Sequence, residues 1–140
     1  MLFLVFRLGD EGYALAGEDV VEVLPLIEIS RIRGAPSAVI GLINYRGSFV
    51  PVVDLCELEL SRPSARRMGT RIVIVDLLVN KRVDRLGLIV ERATETLRCA
   101  PEAFAPFASG PQGLVQRIQL EGLLPRHLQD FLFERSGALA

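Results

Sequence analysis

Short runs of apolar residues, separated by glycine, proline and acidic residues, recur along most of the chain. Leu2 to Leu8 is rich in Phe, Val and Leu and predicts a β-strand. The turn residues Gly9 to Gly12 follow, and Tyr13 to Ala16 leads away from them, so this segment predicts a β-hairpin. Residues 19–24 predict one helical turn that runs into a short strand, which Pro25 ends.

The next part of the chain repeats this pattern. In Ile27 to Ile32, isoleucines alternate with polar residues, as in a half-buried strand. Val39 to Tyr45 and Phe49 to Leu55 are apolar runs on either side of a turn at Arg46-Gly47-Ser48. Pro51 lacks the N–H group that a central strand donates, so we expect a strand edge or a bulge there, and an edge is where a partner can dock.

A polar stretch divides the chain near its middle. Residues 61–69 contain one proline, two serines and three arginines, and they predict the connection between two halves. Arg71 to Val79 predicts a strand, Asn80-Lys81-Arg82 a turn, and Arg85 to Leu97 the returning chain. Three prolines interrupt residues 99–113, which predicts a loop or an irregular segment.

The C-terminal part predicts one more strand and one helix. Leu114 to Leu120 alternates between apolar and polar residues, and Pro125 suits the first position of a helix that Gly137 ends. Phe131 and Phe133 fall on opposite sides of this helix, so we expect one in the core and the other exposed or at an interface. The apolar stripe of the helix consists of Leu124, Leu128, Phe131 and Leu132.

About eight short strands with few helices predict an all-β fold, either small barrels or a sandwich. The length of 140 residues suits one domain, or one domain made of two small halves. Half of the residues are hydrophobic and 24% are charged, which excludes a disordered chain. The longest apolar runs are six residues, too short for a spanning helix, and the first residues have no basic leader, so we expect neither membrane insertion nor a signal peptide.

The few chemically reactive residues argue against catalysis. Cys56 and Cys99 lie 43 positions apart, and we expect two reduced thiols in a cytosolic protein. The single histidine, His127, is expected on the solvated side of the final helix. No zinc-ligand spacing, nucleophile elbow or phosphate-binding glycine loop is present. The sequence therefore predicts no enzyme, no metal and no cofactor.

One motif in the first half of the chain is specific. Residues 35–55 read APSAVIGLINYRGSFVPVVDL, and residues 3–15 read FLVFRLGDEGYAL. Together they resemble the CheW family of chemosensory adaptors, with the core of the motif at Gly41 to Gly47 and Pro51 to Leu55. The resemblance covers residues 2–98 well and the remainder loosely.

The resemblance implies two packed, SH3-like, five-stranded β-barrels in one domain spanning residues 1–140. We expect residues 1–60 mainly in the first barrel, residues 70–120 mainly in the second, and a C-terminal helix over 121–136. Arg98 to Gly113 is shorter than the matching segment of family members, which points to a trimmed second barrel.

The resemblance also implies a function. CheW-like proteins are non-catalytic adaptors that couple chemoreceptors to the regulatory domain of a CheA-type histidine kinase, in chemotaxis or a related pathway such as surface sensing. A protein of this type is cytoplasmic and recruited to membrane receptor arrays. In the family the receptor tip docks in a groove between the barrels, and the kinase contacts the first barrel. Receptor binding is assigned on this basis to Arg46, Glu22, Asn44 and Val23, and kinase binding to Phe49, Val50 and Val52.

Each of these motif residues also has a structural interpretation. Arg46 is either a turn residue or a fork of donors for a partner's carboxylate or carbonyl groups. Asn44 and Gly47 suit the turn itself, and Gly41 allows either a close backbone approach or a bend. We expect Asp54 to cap the chain where its strand ends.

Two further alternatives concern nucleic acid and the basic loop. A small β-barrel that binds nucleic acid or a small ligand would use aromatic side chains and a basic groove. Nine aromatic residues, no tryptophan and a net charge of -1 argue against it and against a nucleic-acid partner. The basic patch is either a solvated loop or a docking site for an acidic partner; it consists of Arg62, Arg66, Arg67 and Arg71.

Overall fold

The computed structural model describes residues 1–79 and 81–134, and in this part of the chain it contains nine β-strands and little helix. Helix α1 spans Leu55–Leu60, and helix α2 spans Arg126–Gln129 and continues as a π-helical turn over Asp130–Glu134. Two single 3-10 turns lie at Gly17–Asp19 and Pro101–Ala103. The strands are β1 Leu2–Leu8, β2 Glu11–Ala16, β3 Val20–Pro25, β4 Val39–Tyr45, β5 Ser48–Asp54, β6 Arg71–Val79, β7 Arg82–Arg98, β8 Phe107–Gly110 and β9 Gly113–Arg117.

The strands form two barrel-like sheets that share β7. In the first barrel the order is β3-β6-β7-β5-β4, and in the second it is β7-β1-β2-β9-β8. Arg82 to Val90 of β7 pair with β6, whereas Glu91 to Arg98 pair with β1. The predicted all-β fold of two five-stranded barrels is therefore confirmed.

The expected division of the chain between the barrels is wrong. The first barrel is built from residues 20–90, and the second combines residues 2–16 with residues 91–117. The β1–β2 hairpin pairs with the distant C-terminal half of β7 and with β9, not with the strands that follow it. A local hydrophobic pattern shows that a strand exists, but it does not show which distant strand pairs with it.

A close backbone approach closes the first barrel. Ser30 and Leu42 exchange two backbone hydrogen bonds of 2.8 Å, which join the segment after β3 to β4. A Cβ atom on Gly41 would lie 2.0 Å from the carbonyl oxygen of Ser30, so glycine is required there. The strand predicted over Ile27 to Ile32 is reduced to this single pair.

Among the described residues, three hydrophobic clusters hold the barrels together. The interior of the first barrel includes Ile43, Val52 and Ile74, and that of the second includes Phe3 and Val5. The largest cluster lies between the barrels, where side chains of β1 and β2 meet side chains of β6 and β7. Its members from these strands and from the C-terminal segment include Phe6, Leu8, Leu15, Val73, Val75, Leu86, Leu88, Val90, Leu124, Leu128, Leu132 and Phe133.

The C-terminal helix is shorter than predicted but buries the predicted stripe. Pro125 precedes α2, so the helix begins later than the expected residue 121. Phe133 is buried and Phe131 is half-buried, while His127 is exposed. The end of the helix predicted at residues 135–136 and Gly137, like the turn position Asn80, lies outside the described residues.

Two elements escaped the sequence analysis. Helix α1 begins where the strand was expected to end, and Asp54 caps it by accepting a hydrogen bond from the N–H of Cys56 at 3.0 Å, as its expected capping role required. Strand β8 lies inside the proline-rich segment 99–113, between Pro106 and Pro111. The second barrel thus keeps five strands despite its short C-terminal part.

Buried polar groups attach the connecting loop 61–70 to both barrels. Asp54 accepts hydrogen bonds from the N–H and hydroxyl of Ser64, at 2.8 and 2.5 Å. Glu91 accepts from the N–H groups of Gly9 at 2.9 Å and Ala65 at 2.5 Å. Burial alone would raise the pKa of Glu91, but these two N–H donors, together with the Cys56 side chain and the charge of Arg62, hold the pKa below its ordinary value.

Gly41→Ala is expected to lower the free energy of unfolding by about 2–4 kcal/mol, because the new methyl group displaces the Ser30 carbonyl and opens the barrel. Gly34→Ala is the matched control, since Gly34 has a φ of +76° but a Cβ atom added to it would meet nothing within 4 Å. It should cost only about 1 kcal/mol for its left-handed backbone. Equal losses in chemical denaturation would show that the close approach is not what Gly41 provides.

Glu91→Gln should destabilise the protein by about 1–3 kcal/mol at neutral pH, because a backbone N–H then faces an amide NH₂. The folded-state pKa of Glu91 is depressed, so its contribution is complete above the unfolded-state pKa and is lost as the pH falls through the folded-state pKa. The stability gap between wild type and variant should therefore be constant near neutral pH and shrink as the pH falls below the ordinary glutamate pKa of about 4.3. The exposed Glu102→Gln serves as control, and a gap that does not change with pH would contradict the assignment.

Candidate functional site

The turn between β4 and β5 presents Arg46 to solvent. Tyr45 and Ser48 pair as the last residues of the hairpin, and Arg46 and Gly47 between them both have positive φ, of 51° and 85°. Two left-handed residues in a row make a type I′ turn, which matches the twist of the two strands. The side chain of Asn44 accepts a hydrogen bond of 3.1 Å from the N–H of Gly47 and fixes this turn. Arg46 therefore stands at the tip, with its side chain 72% exposed.

Glu22 on β3 joins this tip through two donors. Its Oε1 atom accepts a hydrogen bond of 2.5 Å from the hydroxyl of Tyr45 and one of 2.9 Å from Nη2 of Arg46. The Tyr45 hydrogen bond, followed by that from Arg46, holds the pKa of Glu22 below its ordinary value. The same contact to Glu22 raises the pKa of the Tyr45 phenol. The cluster is therefore anionic at Glu22 and cationic at Arg46 over the whole physiological range.

Two guanidinium groups lie close to the ring of Tyr45. The Cζ atoms of Arg46 and Arg85 lie 5.4 and 5.7 Å from its centroid. Arg85 in turn makes a two-pronged ion pair with Asp76, with hydrogen bonds of 3.0 and 3.3 Å. Tyr45, Arg85 and Asp76 were not predicted as site residues. One of these contacts could have been predicted, because a turn at residues 80–82 between two strands places Asp76 opposite Arg85.

An open groove of about 800 Å³ begins beside Tyr45. Phe49 and Val83 stand in it with 70% and 63% of their surfaces exposed. Arg33 also lines it, and Arg82 lies there with its guanidinium 3.1 Å from Asp84. The groove thus combines exposed apolar side chains with a margin of ion pairs and arginines. Such a surface suits the binding of a protein segment, because exposed apolar side chains that share one groove with a polar margin are typical of protein interaction sites.

The structure brings most of the predicted receptor-binding residues together. Arg46, Asn44 and Glu22 lie at one end of the first barrel, linked by the contacts above. Val23 lies next to Glu22 on β3 and is 38% exposed, and Val21 on the same strand is 42% exposed. β3 pairs with β6 on one side, so these valines stand at an edge of the sheet.

Two of the three predicted kinase-binding side chains are not available for binding. Phe49 is exposed, but Val50 and Val52 are only 2% and 0% exposed and pack inside the first barrel. The prediction treated the whole strand as an edge. β5 is open on one side only before Val52, where its parallel pairing with β7 begins. Pro51 lies at this limit, as its missing N–H group requires.

Other candidate chemistry is sparse in the described part of the chain. It contains no group of three or more His, Cys, Asp or Glu side chains placed to hold a metal ion. None of its helices is long and apolar enough to cross a membrane. In the basic patch, Arg62 lies 3.6 Å from Glu91, and Arg71 donates to the carbonyl oxygens of Met68 and Thr70. Part of that patch thus supports the 61–70 loop.

The chain is similar to a known protein family and to several of its members. The family model described as CheW-like domain matches residues 2–122. The chain is 30% identical to chemotaxis protein CheW of Klebsiella aerogenes over 104 residues, which are 74% of this chain and 60% of that protein. It is 27% identical to protein PilI of Pseudomonas aeruginosa over 112 residues, 75% of this chain and 63% of that protein. The chain therefore spans about 60% of the length of the curated relatives it matches.

A solved structure agrees with these relatives. The crystal structure of scaffolding protein TtCheW from Thermoanaerobacter tengcongensis superposes with a TM-score of 0.79 at 26% sequence identity. The superposition covers 91% of this chain and 89% of the other.

Proposed function

We propose an adaptor function for this chain, which belongs to the family of CheW-like domains. It couples chemoreceptors, the methyl-accepting chemotaxis proteins, to the regulatory domain of a CheA-type histidine kinase, without catalytic activity of its own. The pathway is chemotaxis or a related chemosensory system such as surface sensing. The chain is also 36% identical to protein FrzA of Myxococcus xanthus over 64 residues, which are 46% of this chain and 39% of that protein. Its likeness to FrzA and PilI supports including related chemosensory systems beside chemotaxis. The protein acts in the cytoplasm and is recruited to membrane receptor arrays.

One observation supports the proposal most directly. The first barrel carries two different exposed surfaces that meet at the β4–β5 turn: the edge of β3 with the Glu22–Arg46 pair, and the groove around Phe49. An adaptor needs two such surfaces on one rigid scaffold, one for each partner. The alternative of a nucleic-acid module lacks a comparable observation, because two arginines of the groove, Arg82 and Arg85, are paired with Asp84 and Asp76.

The receptor surface combines charge with apolar contact. Arg46 pairs with Glu22, but its side chain is 72% exposed, so its guanidinium can turn from Glu22 to carbonyl or carboxylate groups at the turn of a receptor's helical hairpin. Val21 and Val23 add exposed apolar side chains along β3, the strand that carries Glu22. Asn44 acts indirectly by fixing the turn.

The kinase surface is centred on Phe49. An exposed aromatic side chain beside Val83 and bordered by arginines has the composition of an interface hot spot. Val50 and Val52 support it from inside the barrel and make no contact with the kinase.

Arg46→Ala is expected to weaken the binding of a receptor cytoplasmic fragment at least about tenfold, because a partner group loses its ion pair. Binding to the kinase regulatory domain should stay within about twofold, and the melting temperature should barely change, since the Glu22–Arg46 pair is exposed. Arg46→Lys should be nearly as damaging, because an ammonium group cannot reproduce the planar fork. Separate titrations of both partners test this, with Arg98→Ala as control. Equal losses toward both partners together with a lower melting temperature would make Arg46 a structural residue.

Phe49→Asp should weaken kinase binding at least about tenfold, because it places a charge in the centre of the apolar contact. The fold should remain intact, since the Phe49 side chain is 70% exposed. Met68→Asp, at a residue 93% exposed and away from the groove, is the matched control. If titration calorimetry gives unchanged kinase affinity for Phe49→Asp, the kinase surface lies elsewhere on the protein.

A further inference from the structure

Tyr45 and Arg46 converge on a single oxygen atom. The hydroxyl of Tyr45 and Nη2 of Arg46 both donate to Oε1 of Glu22, at 2.5 and 2.9 Å. Because a carboxylate oxygen can accept from more than one donor, each of the two hydrogen bonds reduces what Glu22 gains from the other. The strength with which Glu22 holds Arg46 therefore depends on Tyr45.

The two donors differ in their freedom to move. The ring of Tyr45 is only 6% exposed and packs inside the first barrel with Ile43 and Val50. Arg85, itself held by Asp76, lies against the same ring. The hydroxyl of Tyr45 is consequently a fixed donor. Arg46, by contrast, stands at a turn tip with a largely exposed side chain, so its guanidinium can exchange Glu22 for another acceptor.

Moving Arg46 from Glu22 to a partner removes one hydrogen-bond donor from Glu22. When a partner's carboxylate takes the guanidinium of Arg46, Glu22 loses one donor but keeps the hydroxyl of Tyr45. Without this hydroxyl, Glu22 would be left without either of the two donors, and the exchange would be less favourable. Tyr45 thus lowers the cost of moving Arg46 from an internal ion pair to an intermolecular one.

We infer that Tyr45 is a positioning residue for receptor recognition: its hydroxyl compensates Glu22, which makes Arg46 available to an acidic group on the receptor tip. The inference rests on the receptor contact proposed above and assigns the residue that sets its strength. It also defines the chemistry of the partner, because only an acceptor that competes with Glu22 benefits from Tyr45.

Tyr45→Phe removes the hydroxyl and keeps the buried ring. It should weaken the binding of a receptor cytoplasmic fragment about three- to tenfold, since one hydrogen bond to a partly exposed carboxylate is lost. In an Arg46→Ala background the same substitution should have no further effect, because no guanidinium remains to be exchanged. Tyr13→Phe, which changes the other tyrosine of the chain, is the matched control and should bind like wild type.

A second measurement needs no receptor. The pKa of the Glu22 carboxyl group, followed by NMR, should lie below its ordinary value in wild type and rise in Tyr45→Phe but not in Tyr13→Phe. An unchanged Glu22 pKa would overturn the inference, as would wild-type affinity in Tyr45→Phe or an equal effect in the Arg46→Ala background. Failure of the wild-type chain to bind the fragment would overturn the proposed receptor contact as well.

Discussion

Strand β7 is the element on which both barrels depend. Its first half pairs with β6 and, in parallel, with β5, and its second half pairs with β1. Between the halves, Arg92 adopts a left-handed backbone with a φ of 48°, and the N–H of Ala93 donates to Gly69 of the connecting loop. This bulge turns one strand from one sheet into the other. The large cluster between the barrels then fixes their packing, so two small barrels behave as one scaffold.

The position of the two proposed binding surfaces follows from the same strand. β7 fixes β5 through the parallel pairs at Val52–Asp54, and the β4–β5 hairpin extends from this point to Arg46. β7 also forms the hairpin with β6 that places Arg85 over the ring of Tyr45. Two guanidinium groups thus lie close to the ring, and its hydroxyl donates to Glu22 of β3. Several strands contribute to one cluster, which explains why a short turn motif in the sequence becomes a structured group of interacting side chains.

The features best predicted from the sequence are those that neighbouring residues determine, namely strand bounds and a capping residue. Val39 to Tyr45 and Arg71 to Val79 are observed with the predicted bounds, because β-branched residues and flanking turn residues define a strand without help from its neighbours. Asp54 caps a helix as its residue type and position favoured. Strand β8, in contrast, lies between prolines, where pairing with β9 overrides local preference. The burial of Val50 and Val52 and the division between barrels depend on pairing with β7, which no local pattern contains. Tyr45 was missed for the same reason, since Glu22 and Arg85 reach it only through the fold.

An adaptor has to hold both partners at once, and its two surfaces here adjoin at a single turn. The most direct measurement is sedimentation velocity of the wild-type chain with a receptor cytoplasmic fragment and a kinase regulatory domain, separately and together. Adjacent but distinct surfaces predict a three-component complex that sediments faster than either pair. Displacement of one partner by the other would show that the edge of β3 and the groove around Phe49 form a single site, and it would contradict the adaptor function.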